Sequence, residues 1–322
     1  MAKKQNNEDY WKQREQDEQD WINQNVKNDD DFNERLQEYY QELIDRINKD
    51  ISNQLIRYAE AEGVDLSKAR QRVSDEDVKA FENKAKSIVK KAEKIRKRKG
   101  FVSRSDFSKE INARLRLYNA TMRINRLEML KAQIGLEIMD TNLDVHDDVD
   151  QRLSNDYLGE LKRQAGILAM YESQHNYKDV AKVIMAQTKN ATFSERIWAN
   201  TDVLKANLDR ELTQAIIRGE NPRKLASRLR KYVDEGVVNV TNVTERIART
   251  ESARVLNKAQ IESFKKAGYK KCKWVAEGSA CKICRGYALD NDGIFDIKDL
   301  PVWPVHPNCM CSTAPWYKKE EE

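Results

Sequence analysis

Tyr39, Leu43, Ile47, Ile51 and Leu55 form an i, i+4 ladder within residues 5–99, a stretch otherwise dense in Glu, Lys, Gln, Asn and Arg. That is the pattern of a helix with a narrow apolar face. Such a stripe is expected to pack against one partner helix or a second subunit rather than inside a core. Gly63 and residues 65–67 supply a break and a cap, and a second helix runs to Arg98 and stops at Gly100. Ser103 or Ser105 caps the next helix. Its Leu115, Leu117, Met122, Ile124, Leu127, Leu130 and Ile134 give a broader face, where a true core begins. Farther on, Leu204, Leu208, Leu212 and Ile216 make a ladder ending at Gly219, and Asn221-Pro222 is an N-cap followed by a proline at the first helical position. Leu225, Leu229 and Tyr232 carry the following stripe, which Gly236 is expected to close. Residues 237–243 then read as a β-branched connection, Thr241 or Thr244 starts another helix to Gly268, and residues 272–276 are strand-like.

Composition fits few hairpins: the 322 residues include 11 Gly and 5 Pro, and 34% are charged. With a mean hydropathy of −0.85, much of the chain must be solvated helix surface. The expected fold is mainly α, an elongated helical N-terminal region joined to a small α+β C-terminal domain. The divisions fall at 1–102, a charged helical arm; 103–189, a helical core region; and 190–322, the domain that holds the Cys and His residues. Residues 1–13 lack the apolar core of a signal peptide, and no apolar run approaches a membrane span. A soluble chain made in the cytoplasm, with no membrane partner, is expected.

Charge becomes informative through its distribution. The 58 basic and 53 acidic residues nearly balance, but Lys90, Lys91, Lys94, Arg96, Lys97, Arg98 and Lys99 cluster at one helix end. Cations there complement the helix dipole, which makes a solvated helix end one reading. Contact with nucleic-acid phosphates is the other, since Lys and Arg need no further motif for it. Residues 140–150 hold Asp144, His146, Asp147, Asp148 and Asp150 but lack the Gly and terminal Glu of a calcium loop, so they read as an acidic loop or helix start. His175 reads as surface polar.

Four of the five cysteines crowd into residues 281–311, and a reducing compartment disfavours disulfides. Cys281-Lys282-Ile283-Cys284 is a knuckle with two thiolates on one side. About twenty residues later, His306-Pro307-Asn308-Cys309-Met310-Cys311 adds an imidazole and two thiols, a spacing that fits tetrahedral, structural zinc. Five donors compete for four positions. Cys281, Cys284 and His306 are the firm ligands, and Cys309 stands ahead of Cys311 because its i, i+3 spacing from His306 closes a tight chelate. Reduced thiols packed as small apolar groups are the competing reading, and Cys272 reads as core. A catalytic zinc fits less well. The deaminase pattern of His-x-Glu with Pro-Cys-x-x-Cys is absent, and His306 cannot easily serve as both ligand and general base. A metal-dependent nuclease or toxin-like enzyme domain remains the alternative function.

Three blocks carry a resemblance: Phe193-Ser194-Glu195-Arg196-Ile197-Trp198, then Arg246-Ile247-Ala248-Arg249-Thr250-Glu251-Ser252-Ala253-Arg254, then the cysteine tail. In content and order, residues 190–315 resemble the phage Mu F-type minor head proteins, the head-morphogenesis family. Met310 stands where that family usually has arginine. The resemblance implies a non-enzymatic minor capsid protein present in few copies at the portal vertex inside the capsid, reached from the host cytoplasm during procapsid assembly. It implies as partners the portal protein, other capsid or scaffolding proteins and packaged double-stranded DNA, with which the protein would leave on ejection. Arg246, Arg249 and Arg254 are expected to lock the fold by bonding backbone carbonyls or the metal loop in preference to contacting DNA or portal, since Arg suits buried bidentate recognition.

Overall fold

A computed structural model describes residues 7–56, 75–99, 126–171, 177–188, 190–218 and 221–317. Among these the chain is mostly helical: α1 Asn7–Ile51, α2 Asp75–Lys99, α3 Arg126–Ile167, α4 Tyr177–Ile184, α5 Phe193–Arg218, α6 Pro222–Lys266 and α7 Lys282–Leu289. Strands β1 Lys271–Val275, β2 Ile294–Asp296 and β3 Ser312–Trp316 form one antiparallel sheet in the order β2-β1-β3. Pro315 is tolerated because β3 is an edge strand. The chain divides into two compact units. Unit 1 comprises Met1–Glu34, Val149–Phe193 and Glu245–Glu322, and unit 2 comprises Arg35–Asp148 and Ser194–Thr244. This partition differs from the consecutive segments 1–102, 103–189 and 190–322, because α1, α3 and α6 each contribute residues to both units.

In unit 2, Phe81, Ala85, Ile88 and Ala92 of α2 pack with Met129, Ala132, Leu136, Met139 and Leu143 of α3 and with Trp198 of α5. The alternating three- and four-residue spacing on α3 is that of knobs-into-holes packing. The α1 ladder is buried too, with Leu43, Ile47 and Ile51 fully so and Tyr40 taking the place expected of Tyr39. This corrects the expectation of an outlying stripe: Leu36 and Tyr40 widen the face, and the Tyr40 hydroxyl meets Thr244 Oγ1 at 2.9 Å. Leu130 and Ile134 are buried as expected, whereas Gly63, residues 65–67, Ser103, Ser105, Leu115, Leu117, Met122, Ile124 and His175 lie outside the described residues.

Two further expectations are corrected. Residues 140–150 are interior to α3 rather than a loop or helix start. Their charge is compensated within unit 2: Lys91 Nζ donates to Asp140 and Asp144 at 2.6 Å each, and Arg35 reaches Asp148 at 3.4 Å. Likewise α6 runs through Gly236 and residues 237–243 without a break. A Cβ on Gly236 would lie 2.6 Å from Leu204 Cδ1, so glycine serves close approach of α5 and α6, not termination. The hydroxyls of Thr241 and Thr244 donate back to the Val237 and Val240 carbonyls at 2.9 Å, which lets them sit inside the helix. The buried stripe is Leu225, Leu229, Val233, Val237 and Val240, leaving Tyr232 partly exposed. Asn221 caps α6 by accepting from Arg223 N at 3.0 Å, and Gly268, at φ 84°, ends it.

In unit 1 the sheet packs on helices. Ile22 of α1 meets Val275 and Ala314, and Phe264 of α6 meets Cys272 and Ile297. The fully buried Glu18 carboxylate accepts from Arg163 at 2.9 Å, Gln260 at 3.1 Å and Ser312 at 2.6 Å, tying α1 to α3, α6 and β3.

Two alanine substitutions separate helix propensity from packing. Gly159→Ala adds a Cβ with nothing within 4 Å and should stabilise by up to about 1 kcal/mol. Gly236→Ala gains the same propensity but overpacks Leu204 at a cost of about 1–3 kcal/mol, for a net loss. Thermal unfolding followed by circular dichroism measures both. Leu204→Ala should cost less in the Gly236→Ala background than alone, and additive effects would contradict the close approach.

Candidate metal centre

The cysteine knuckle is built by the turn after β1. Ala280 N donates to the Glu277 carbonyl at 2.9 Å, and Ser279 Oγ donates to the Glu277 carboxylate at 2.6 Å. The turn delivers Cys281 to the N-cap of α7 in an extended conformation, and Cys284 follows within the first turn. The second arm is also a tight turn: Cys309 N donates to the His306 carbonyl at 3.3 Å, and Asn308 adopts φ 64°, a left-handed conformation that Asn tolerates. His306 Nδ1 lies 2.8 Å from the Pro307 carbonyl. A carbonyl only accepts, so Nδ1 carries the proton and Nε2 presents its lone pair.

That lone pair faces Cys281 Sγ at 3.2 Å and Cys284 Sγ at 3.3 Å, while Cys284 and Cys309 sulfurs are 3.7 Å apart. Tetrahedral zinc with bonds of about 2.3 Å to sulfur and about 2.0–2.1 Å to nitrogen needs edges of about 3.8 Å for S···S and about 3.6 Å for N···S. Cys281, Cys284 and His306 donor atoms lie within 4.8 Å of one another, as do those of Cys284, Cys309 and Cys311. The fold therefore gathers all five sequence candidates into one cluster pivoting on Cys284, while Cys272 packs in the core with Phe264 and Ile297.

The thiols of the cluster divide into two that are held down and two that are pushed up. The backbone N–H of Cys284 at the start of α7 pulls the Cys281 thiol below its ordinary range. Cys309 is pulled down to about 6, chiefly by the Cys311 thiol donating to it, and the same bond, with burial, holds Cys311 protonated. Burial pushes Cys284 up to about 12 and Cys272 up to about 12. The Pro307 carbonyl raises His306. Loading a metal would thus release protons from the buried thiols. Trp274 lines the apolar side, with ring centroids 5.1 Å from Tyr287 and 4.2 Å from Trp303.

The α6 block serves this loop. Thr250 Oγ1 accepts from the backbone N of Asn308 at 3.0 Å, which anchors the His306–Cys309 turn to the helix. Glu251, fully buried, pairs with Arg254 at 2.5 Å, and Arg254 also donates to the Val183 and Ile184 carbonyls at 2.9 and 3.1 Å, capping α4. Arg249 lies 3.3 Å from Asp29, and Arg246 is exposed. Two of the three arginines are therefore spent inside unit 1, one on backbone carbonyls as expected and one on a carboxylate. Sequence reading singled out the arginines and missed Thr250, whose role depends on the distant Asn308.

Of the basic cluster on α2, Lys90, Lys94 and Lys97 are exposed, while the side chains of Arg96, Arg98 and Lys99 lie outside the described residues. The ammonium of Lys91 is held by Asp140 and Asp144 of α3.

In metal-stripped protein, iodoacetamide should modify half-exposed Cys281 first and leave Cys272 untouched until unfolding. One equivalent of zinc should then protect Cys281. Mass-spectrometric labelling of Cys281 that zinc does not slow would sink the metal assignment. Thr250→Val should weaken zinc about tenfold in a competition titration with a chromophoric chelator, as expected when a group that orients a ligand loop is lost. Unchanged affinity would reduce Thr250 to a helix residue.

The family described as phage Mu protein F like protein matches residues 206–314, a span that begins in α5, includes all of α6 and ends in β3 after the last cysteine. No curated protein and no solved structure matches the chain. Over residues 206–314, which take in the Thr250 anchor and the Cys/His cluster, this chain is similar to the phage Mu protein F like family.

Proposed function

We propose that the protein is a minor capsid component of a tailed phage, built into the head in few copies beside the portal during procapsid assembly. In this reading it passes from the host cytoplasm to the capsid interior at the portal vertex, touches the portal, neighbouring capsid or scaffolding proteins and packaged DNA, and leaves with the DNA on ejection. The observation that carries the reading is the family match over residues 206–314, which takes in the whole Cys/His cluster. The cluster holds a structural zinc through Cys281, Cys284, His306 and Cys309, with Cys311 donating to the Cys309 sulfur. Four protein donors leave no open position for substrate.

The geometry also supports a non-enzymatic role. His306 directs Nε2 at two thiols and Nδ1 at a carbonyl, so its ring has no nitrogen left to act as a general base. Among the described residues no helix is long and apolar enough to cross a membrane.

The test is genetic and compositional. Particles purified on a density gradient from the phage that carries the gene should contain this chain at a small, fixed ratio to the major capsid protein, measured by quantitative mass spectrometry. Disrupting the gene should lower the yield of DNA-filled, infectious heads. Absence of the chain from washed particles, with normal head yield after disruption, would overturn the proposal.

A further inference from the structure

The lysines of α2 are ordered by the helix rather than by the run seen in the sequence. At about 100° per residue, Lys79, Lys86, Lys90 and Lys97 fall within a sector of about 40°, and Lys94 widens it to about 80°. All five are exposed. The row stands opposite Phe81, Ala85, Ile88 and Ala92, which are buried against α3, and at about 1.5 Å per residue it is about 27 Å long. The exposed positions between the lysines hold Ala80, Asn83, Ser87 and Glu93.

Lysines at the flank of α2 behave differently. Lys84 pairs with Glu137, and Lys91 with Asp140 and Asp144. Lysine is therefore paired wherever α2 faces carboxylates of α3, and among the described residues none of the five in the row has an ion-pair partner. Like charges one turn apart destabilise a helix by about 0.2–0.5 kcal/mol per pair, so the row is not explained by helix stability. The exposed face of α1 in the same unit is of mixed or acidic character, with Glu38, Glu42 and Asp45 beside Lys49.

We propose that Lys79, Lys86, Lys90, Lys94 and Lys97 form a docking surface for the phosphate backbone of duplex DNA. The inference deepens the reading above that the chain meets packaged DNA. Two features choose the ligand. No large apolar side chain is exposed on the described part of α2, so the face has nothing to insert into a bilayer. It also shows no aromatic platform on which unpaired bases would stack, and lysines dominate the row, which favours regularly spaced backbone phosphates as the ligand. The set differs from the sequence cluster by gaining Lys79 and Lys86 and losing Lys91, while the side chains of Arg96, Arg98 and Lys99 lie outside the described residues.

The test uses the full chain and a fluorescent duplex of random sequence, with anisotropy titrations across a salt series. Five phosphate contacts give a slope of log affinity against log salt of about −4.5, and the fourfold variant Lys79→Gln, Lys86→Gln, Lys90→Gln, Lys97→Gln should fall to about −0.9 with unchanged helix content. Lys91→Gln should keep the wild-type slope. If wild type binds duplex and the fourfold variant retains the full slope, the row is overturned while DNA contact stands. If wild type fails to bind duplex at low salt, both fall. Binding to phosphatidylserine vesicles but not to duplex would overturn the row as a DNA surface in favour of a membrane.

Discussion

Unit 1 is assembled around a carboxylate shut off from bulk solvent. Glu18 is fully buried, so its charge must be balanced by protein groups drawn from distant parts of the sequence: Arg163 of α3, Gln260 of α6 and Ser312 of β3. Burial raises the Glu18 pKa, and Arg163 opposes it. Arg163 is shared with Glu160, also fully buried, and its guanidinium lies 4.6 Å over the Trp21 ring. Removing one partner of such a pair costs about 3–5 kcal/mol because the other is left uncompensated, whereas an apolar substitute for the whole set would cost little. The network therefore specifies which helix faces meet more than it adds to net stability, and the sheet that supports the metal centre is positioned by it through Ser312 and Thr313.

Helix α6 transmits that positioning to the site. Gln260 engages β3, Arg254 caps α4 and Thr250 anchors the His306–Cys309 turn, all within three turns of one helix. A helix fixes the relative placement of such groups at about 1.5 Å per residue, so the loop is registered against the sheet without direct contact between every pair. Within residues 246–254, Arg249, Thr250, Glu251 and Arg254 meet a carboxylate, a loop amide, each other and the end of α4, while Arg246 is exposed.

The helical class, the end of α2, the Asn221 cap and the five-donor cluster were legible in the sequence because each rests on local spacing. What was not legible depends on long-range packing. Gly236 reads as a stop unless Leu204 is known to press on it, and residues 140–150 read as a loop unless Lys91 and Arg35 are known to neutralise them. Tyr40 rather than Tyr39 enters the core because a one-residue step turns a helix by about 100°, and only the partner surface decides which neighbour is covered. The compact units interleave along the chain because long helices change partners partway, and they carry no local mark of where their contacts change.

The sheet shows why the C-terminal module gathers thiols at all. Its strands span five, three and five residues, too little to hold two hairpin-like arms by ladder bonds alone. The loop between β2 and β3 must nevertheless return beside α7 with a fixed geometry, and its end is ordered by a left-handed Asn308, the turn bond from Cys309 to His306 and the bond to Thr250. A metal ion held between residues 281–284 and 306–309 would close that loop, and because ligands in an unfolded chain are dispersed, its binding free energy would become folding free energy. The tautomer of His306, fixed by Pro307, and the low pKa of Cys309 reduce the reorganisation needed to bind. Such a centre would serve as a clasp, with donors enough to hold the two arms of the module together.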